Sequence, residues 1–439
     1  MIKFSFGDFL SPGRLLHWRR LLWQSQYWPG ERLARFAETL LRRSLEHGLR
    51  RVPFYRKQGG EELAGLAAAD PRAALARLPV IDKFDVMDHH EEFKAEDFDA
   101  HRPQKILTTG TTGTPMHLYW DLPSNVVELL SQYRHFSWAG YRLGDPFLDI
   151  RSVTFAPPAW YRWNWKCRSL EVSSDDLHAG NVGKYADLLR RFKVRLWRGY
   201  PESMDYFIRL LEAAGIDDVR PRAVISVAVN VLEFQRRRIE SWSGVPLLDS
   251  YGLDEHVALV CQCSQGGYHV ASEYGWLEIL REDDHRPARP GEEGRVVATG
   301  LHNRAFPLLR YDTMDYAVAS DRRCACGRSL PLIEKLTGRH ADFILAANGR
   351  WVSATSWPLY AVSEVRLSQL VQEREGAVDL FVVPERNYHA AVSDILVREF
   401  KKKLGEAMIV RVHLVSEVPY PRTGKKYRFA ISKLKHSRS

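Results

Sequence analysis

Apolar positions at Leu33, Phe36, Leu40, Leu41 and Leu45 recur with the period of one helix face, which predicts helices across residues 16–50, closed by Pro53-Phe54-Tyr55. LPVIDKFDVM, from Leu78 to Met87, reads as a turn followed by a helix with Asp82 as its N-cap. KILTTGTTGTPMHLYWD, from Lys105 to Asp121, is a short strand, a run of threonine, glycine and proline, and a second strand, MHLYW. Helical patterns follow at Ser124–Trp138 and Gly183–Phe192. The β-branched run Arg220–Val229 predicts a buried strand, followed by a helix through Ile239 and a further strand at VPLLDSYG. Gly275–Leu280 and Gly294–Thr299 continue as strands. This alternation predicts an α/β fold, with a large N-terminal domain built on mixed and parallel sheet. After Gly338-Arg339 the texture changes. DFILAANGRWV is two strands about a turn at Asn348-Gly349, and strand (AVDLFVVPE), helix (AAVSDILVREFKKKL) and strand (MIVRVHLVS) patterns follow. The division expected is a large domain over 1–338, a connection at 339–342 and a small α+β domain over 343–439.

Composition adds bounds. The 439 residues are 45% hydrophobic and 27% charged, an ordinary soluble profile with room for a large core. No run of 18 apolar residues predicts a membrane span, and MIKFSFGDFLSPG lacks the apolar stretch and cleavage site of a secretory signal. Five cysteines do not suggest a disulfide framework, so a reducing, cytoplasmic setting is expected. The net charge of +9 points to an acidic partner, and its excess sits near the ends, in the Arg/Trp-rich stretch Arg14–Arg56 and the tail KKYRFAISKLKHSRS. These read as solvated basic surfaces, with peripheral membrane or partner contact as the alternative. No nucleic-acid motif accompanies them, and none is expected as a partner.

Four stretches carry chemistry. Thr108-Thr109-Gly110-Thr111-Thr112-Gly113-Thr114-Pro115 offers backbone N–H groups and hydroxyls to phosphate oxygens, without the lysine of a P-loop. In Tyr251-Gly252-Leu253-Asp254-Glu255 a tyrosine can stack on a purine and a glutamate can hold Mg²⁺. In Arg310-Tyr311-Asp312-Thr313-Met314-Asp315 a strand-end aspartate can accept both ribose hydroxyls. Pro421-Arg422-Thr423-Gly424-Lys425-Lys426-Tyr427-Arg428 presents lysines on a glycine turn. Taken in this order, with the Gly338-Arg339 pair, the motifs resemble the adenylate-forming superfamily of acyl-CoA synthetases, peptide-synthetase adenylation domains and luciferases. VPFYRK, LPVIDK, RGYPESM, GGYHVASE, CACGRSLPLIEKLTGR and GKKYRFAIS bring the resemblance closest to the phenylacetate–CoA ligase-like, CapK-like branch, over nearly the whole chain from about residue 50.

The resemblance implies ATP-dependent activation of a carboxylate to an acyl-AMP, with Mg²⁺, and transfer to an acceptor, first of all the thiol of CoA. Amine or hydroxyl acceptors in natural-product or polysaccharide synthesis are the alternative, and a degenerate nucleotide-binding protein the third. Thr108, Thr109, Gly110, Thr111, Thr112 and Gly113 would grip the phosphates, Thr112 among the catalytic groups, with Thr114 where many relatives carry lysine. Tyr251 and Gly252 would lie by the adenine, Glu255 would hold Mg²⁺, and Asp315 and Arg339 would take the ribose. Val229 and Asn230 would line the adenine and acyl pockets, Asn230 replacing the usual acid. Lys425 is the catalytic lysine that follows glycine; counting back from Arg428 selects Lys426 instead. The small domain would rotate as a lid about the hinge at 339–342, where Ala341 replaces a more usual Asp or Lys. Cys263, His269, Cys324 and Cys326 have the make-up of a structural zinc site, with Cys261 as rival thiol and Cys167 as a core residue. WYRWNW at 160–165 and Tyr200 are either pocket lining or packing.

Overall fold

The computed structural model describes residues 12–108, 116–151, 153, 155, 159–231, 233–281, 284–337, 343–349, 351–353, 362, 364–419 and 430–434. The chain opens with helices α1 (Pro12–Ser25), α2 (Gly30–Arg51), α3 (Pro53–Arg56), α4 (Gly60–Ala69), α5 (Pro71–Arg77) and α6 (Lys83–Asp88). α2 buries the stripe Leu33, Ala37, Leu40, Leu41, Leu45 and Leu49, and Pro53 ends it by starting the next helix. Asp82 caps α6, accepting from Phe84 and Asp85 while Asp85 accepts from the Asp82 backbone N–H. A hairpin of β1 (Gln104–Leu107) and β2 (His117–Trp120) follows. Its apolar positions join α2–α6 in one core.

The next stretch builds a twelve-stranded sheet. In chain order its elements are α7 (Leu122–Trp138), β3 (Phe147–Arg151), β4 (Tyr161–Asn164), β5 (Ser169–Ser173), α8 (Val182–Phe192), β6 (Leu196–Gly199), α9 (Pro201–Ala213), β7 (Ala223–Val227), α10 (Glu233–Ser243), β8 (Leu247–Gly252), β9 (Leu259–Gln262), β10 (Tyr268–Val270), β11 (Gly275–Leu280), β12 (Glu293–Gly300), β13 (Tyr311–Ala319) and β14 (Leu332–Leu336). The spatial order is β11-β12-β13-β14-β10-β9-β8-β7-β6-β3-β5-β4. Pairing is parallel from β5 through β3, β6 and β7 to β8, and antiparallel from β8 onward. Alternation sorts the parallel strands between two helix layers. Leu148, Trp197 and Val224 face α8, α9 and α10; Phe147, Leu196, Ala223 and Ile225 face α7. The fold is therefore α/β, and the sheet is mixed.

The C-terminal region adds a hairpin of β15 (Phe343–Leu345) and β16 (Trp351–Ser353), then β17 (Val365–Arg374), β18 (Ala377–Pro384), α11 (Ala390–Leu404), β19 (Ile409–Leu414) and β20 (Ala430–Ser432). The sheet order is β19-β18-β17-β20, and α11 packs Val392, Leu396, Phe400 and Leu404 against Leu370, Leu380 and Val382 in a core of its own. The expected hinge at 339–342 lies outside the described residues, so the boundary itself stays an expectation.

The tryptophans of the basic N-terminal stretch pack inward. Trp18 meets His302 edge-on at 4.9 Å, and Trp23 lies partly buried against α7; Arg14, Arg19 and Arg20 stay exposed. A buried ion pair fastens this helix. Arg134 Nη1 lies 2.9 Å from Glu273 Oε1, with side-chain exposures of 2% and 0%. Arg134 also donates to the Leu22 carbonyl at 3.2 Å, and Ser25 donates to Glu273. No described helix is long and apolar enough to cross a membrane. Removing one partner of such a pair strands a buried charge. Arg134→Met should therefore cost about 3–5 kcal/mol in urea unfolding, and Arg134→Met/Glu273→Met should recover most of that loss.

Candidate functional site

Open α/β sheets take ligands at the carboxyl ends of their parallel strands, and β8 is the parallel strand on which the antiparallel half begins. Asp249, inside β8, accepts from Ser226 of β7 at 2.7 Å and from Tyr268 of β10 at 3.2 Å, and burial pushes its carboxyl upward. Two residues on, the Tyr251 hydroxyl lies 2.9 Å from Asp315 Oδ2 on β13. The Tyr311 hydroxyl, also on β13, donates to Glu255 Oε1 at 3.2 Å. Gly252 pairs with Leu259, and a Cβ there would meet the Leu259 side chain at 3.3 Å. The structure thus brings Tyr251, Gly252, Glu255 and Asp315 together on β8, β13 and the turn after β8.

Thr108 closes the base of the Thr/Gly loop. Its N–H donates to the Met116 carbonyl at 2.9 Å, and its hydroxyl accepts from the Met116 N–H at 3.0 Å. Thr109, Gly110, Thr111, Thr112, Gly113, Arg339 and Lys425 lie outside the described residues. Val229 and Asn230 sit in the turn after β7, half-buried. Asn230 Nδ2 donates to the Thr337 carbonyl at 3.0 Å, a bond that the carboxylate usual at this position could not donate. That tie joins the turn to the segment just before the expected hinge.

Among the described residues eight non-glycine residues have positive φ, and four of them adjoin this site: Ala228 (71°), His256 (55°), Arg310 (53°) and Met314 (63°). A left-handed L-residue costs roughly 1–2 kcal/mol, and such strain gathers where side chains must be aimed. Arg310 is anchored by donating to the Ala76 carbonyl at 2.9 Å. The Ile81 carbonyl accepts from the Asp312 N–H at 2.7 Å, so LPVIDK braces β13.

Toward the sheet edge lies a charged network that sequence reading missed. Arg151, at the end of β3, reaches Asp149 at 3.0 Å and Glu171 at 3.3 Å, and Arg198 reaches Asp149 at 2.8 Å. Burial raises the Asp149 carboxyl, but Arg151 and Arg198 outweigh it and hold it low. Tyr200 is half-buried near Arg151. Of the aromatic run, Trp163 stacks on Phe192 at 4.2 Å and Trp160 meets Tyr185 at 5.2 Å, so both pack; Trp165 is 73% exposed.

A separate cluster gathers donor atoms of Cys263, His269, Cys324 and Cys326, all within 4.8 Å of one another. Cys263 Sγ lies 3.5 Å from Cys324 Sγ, and Cys326 Sγ lies 3.3 Å from His269 Nε2. A Cβ at Gly267 would sit 2.8 Å from Cys324 Sγ, so the turn between β9 and β10 needs glycine there. Cys261, buried with Val127 and Tyr274, is not among these clustered donors, and Cys167 is also core.

The Tyr251–Asp315 bond crosses from β8 to β13 and can be removed without changing shape. Tyr251→Phe should lower unfolding free energy by about 0.5–1.5 kcal/mol in urea titration. An unchanged midpoint would show that the bond does not tie the strands.

Comparison with known proteins agrees with this geometry. Residues 350–433 match the family model of the CapK C-terminal domain. The chain is 24% identical over 409 residues to a phenylacetate–coenzyme A ligase of Thermus thermophilus, covering 89% of each. It is 27% identical over 318 residues to that of Pseudomonas putida, covering 70% of each. Among solved structures, 2-hydroxyisobutyryl-CoA ligase in complex with 2-HIB-AMP and CoA superposes with a TM-score of 0.61 at 17% identity, over 93% of this chain and 92% of that one. The fold, the order of the motifs and these relatives point the same way: the chain is similar to phenylacetate–CoA ligases and shares the fold of 2-hydroxyisobutyryl-CoA ligase, with a match to the CapK C-terminal domain at its end.

Proposed function

We propose that the protein activates a carboxylic acid with ATP and passes the acyl group to the thiol of CoA. The observation that carries this reading is the convergence of Tyr251, Glu255 and Asp315 at the end of β8, next to the hairpin that bears the Thr/Gly loop, whose Trp120 donates to the Asp254 carbonyl at 2.6 Å. In the first step a carboxylate oxygen bonds to the α-phosphorus of ATP and the bond to pyrophosphate breaks, leaving an acyl-AMP. In the second the thiolate bonds to the acyl carbon and AMP departs. The names of the relatives support CoA as acceptor.

Asp315 would accept the ribose hydroxyls, with Arg339 assisting, and Tyr251 would lie against the adenine while its hydroxyl orients Asp315. Thr108 to Gly113 would grip the phosphates, with Thr108 holding the loop base. A Mg²⁺ ion, when bound, neutralises charge on the phosphates. Glu255 fits as its ligand, since its Oε1 is oriented by Tyr311. Lys425 would stabilise charge on the α-phosphate as the carboxylate attacks. The small domain over 343–439 would act as the lid that brings this lysine in and then withdraws it.

The cysteine cluster fits zinc. Thiolates bonded at about 2.3 Å in a tetrahedron lie about 3.8 Å apart, close to the Cys263–Cys324 separation. All five cysteines are free of disulfides. Such an ion would clamp the β9–β10 hairpin to the β13–β14 connection, a structural role away from the nucleotide groups.

Incubation with ATP, Mg²⁺, a panel of acids and CoA, read by mass spectrometry, should yield an acyl-CoA. Acyl amides or esters formed from parallel amine and hydroxyl arms, without thioester, would reassign the acceptor. In single-turnover AMP formation, Lys425→Ala should slow adenylation at least about 10²-fold, whereas Lys426→Ala should not. The reverse ranking would move the role to Lys426. Elemental analysis of protein purified without chelator should find at least one zinc per chain, and Cys326→Ser should lose one equivalent. Equal metal in both would remove the thiolate site.

A further inference from the structure

A second convergence of metal-ligating groups lies among the N-terminal helices and uses none of the residues above. His47 projects from α2, while Asp97 precedes and His101 ends the short 3-10 turn Phe98–His101. A ring nitrogen of each histidine and a carboxylate oxygen of Asp97 all lie within 4.8 Å of one another. The histidine rings stand edge to face, 6.1 Å between centroids. His101 Nε2 is 3.2 Å from Asp97 Oδ2, yet it and Asp97 Oδ1 are buried atoms without a hydrogen-bond partner among the described residues. Close approach without alignment is what a shared ion would produce. Donor atoms bonded to one cation at about 2.0–2.2 Å stand about 3.0–3.5 Å apart, their lone pairs aimed at the ion rather than at each other.

The tautomer of His47 is set from outside. Its Nε2 lies 2.8 Å from the Arg304 carbonyl, which can only accept, so Nε2 carries the proton and Nδ1 the lone pair. A metal-ligating histidine characteristically donates its other N–H in this way, to a carbonyl that fixes the ring.

His47 and His101 line a cavity of about 510 Å³ whose wall also carries Arg14, Arg43 and Arg304. The three arginines are exposed. They oppose a bare dication, but their guanidinium groups suit an anion that would share the ion. The geometry points to a binding site for a divalent transition-metal ion, held by His47, Asp97 and His101, with its open positions facing the cavity and completed by phosphate or carboxylate. Two imidazoles and one carboxylate select a borderline cation such as Zn²⁺ or Co²⁺ over Mg²⁺ or Ca²⁺.

The test uses the full-length protein as purified, with its thiolate cluster filled. Titrated Co²⁺ should bind at one further equivalent and give visible d–d bands without sulfur-to-cobalt charge transfer. Asp97→Asn and His101→Ala should each weaken this binding at least about tenfold, whereas Cys326→Ser should leave it unchanged. Inorganic phosphate should tighten Co²⁺ binding to the wild type and not to Arg304→Ala, which keeps the backbone carbonyl. Circular dichroism checks that each variant folds, with retained zinc as a second check for every variant except Cys326→Ser, and His47→Gln is the conservative alternative where one does not. No further equivalent of Co²⁺, or binding equally strong in Asp97→Asn and His101→Ala, would overturn the site.

Discussion

Asp249 sits where the large sheet changes character. Its strand is parallel to β7 on one side and antiparallel to β9 on the other, and its carboxylate is buried between them. Ser226 donates from the parallel half and Tyr268 from the antiparallel half. The Gln262 side chain accepts from the Asp249 backbone N–H at 3.2 Å and from Arg236 at 3.2 Å. A buried carboxylate left with one partner would be expensive, so both halves are held to one register. β8 ends three residues later at Gly252, and Tyr251 and Glu255 are aimed by that exit. Everything proposed for the nucleotide depends on Asp315 of β13 standing within hydrogen-bond reach of Tyr251, and hence on this junction.

Much of the architecture was legible because it follows apolar periodicity. α2, α7, α8, α11, β11 and β12 lie close to where the pattern put them, and Asp82 caps α6 as its position before the helix suggests. The strands β3 and β5 escaped notice for a physical reason. Both are wholly buried, yet read FLDIR and SLEVS. Asp149, Arg151 and Glu171 break the apolar run that marks a buried parallel strand, and only the folded sheet brings them together to neutralise one another. Within the antiparallel half β9, β10 and β14 were equally obscure, since they are three to five residues long.

The candidate site was legible in its motifs and not in its supports. Tyr251, Glu255 and Asp315 carry type and order, but Asp249, Tyr311 and the tie from Asn230 to Thr337 depend on neighbours brought close only by folding. Asn230 is instructive: as a departure from the usual acid it looked like a change in ligand recognition, whereas its amide donates where an acid could not. The Arg/Trp-rich N-terminus shows the opposite case. Its composition suggested a surface, but Trp18 and Trp23 are drawn inward by α7 and His302, and the Arg134–Glu273 pair lies beneath them. The same helices bring His47, Asp97 and His101 together from positions that no motif links.

The claim on which the rest turns is that this junction assembles an acyl-AMP. Exchange of labelled pyrophosphate into ATP, measured across a panel of carboxylic acids with no acceptor present, tests it most directly because it needs only the first half-reaction. The account predicts that at least one acid raises exchange about tenfold or more above the acid-free rate, and that Asp315→Ala suppresses the gain. Exchange that no acid stimulates, or stimulation that survives Asp315→Ala undiminished, would contradict it.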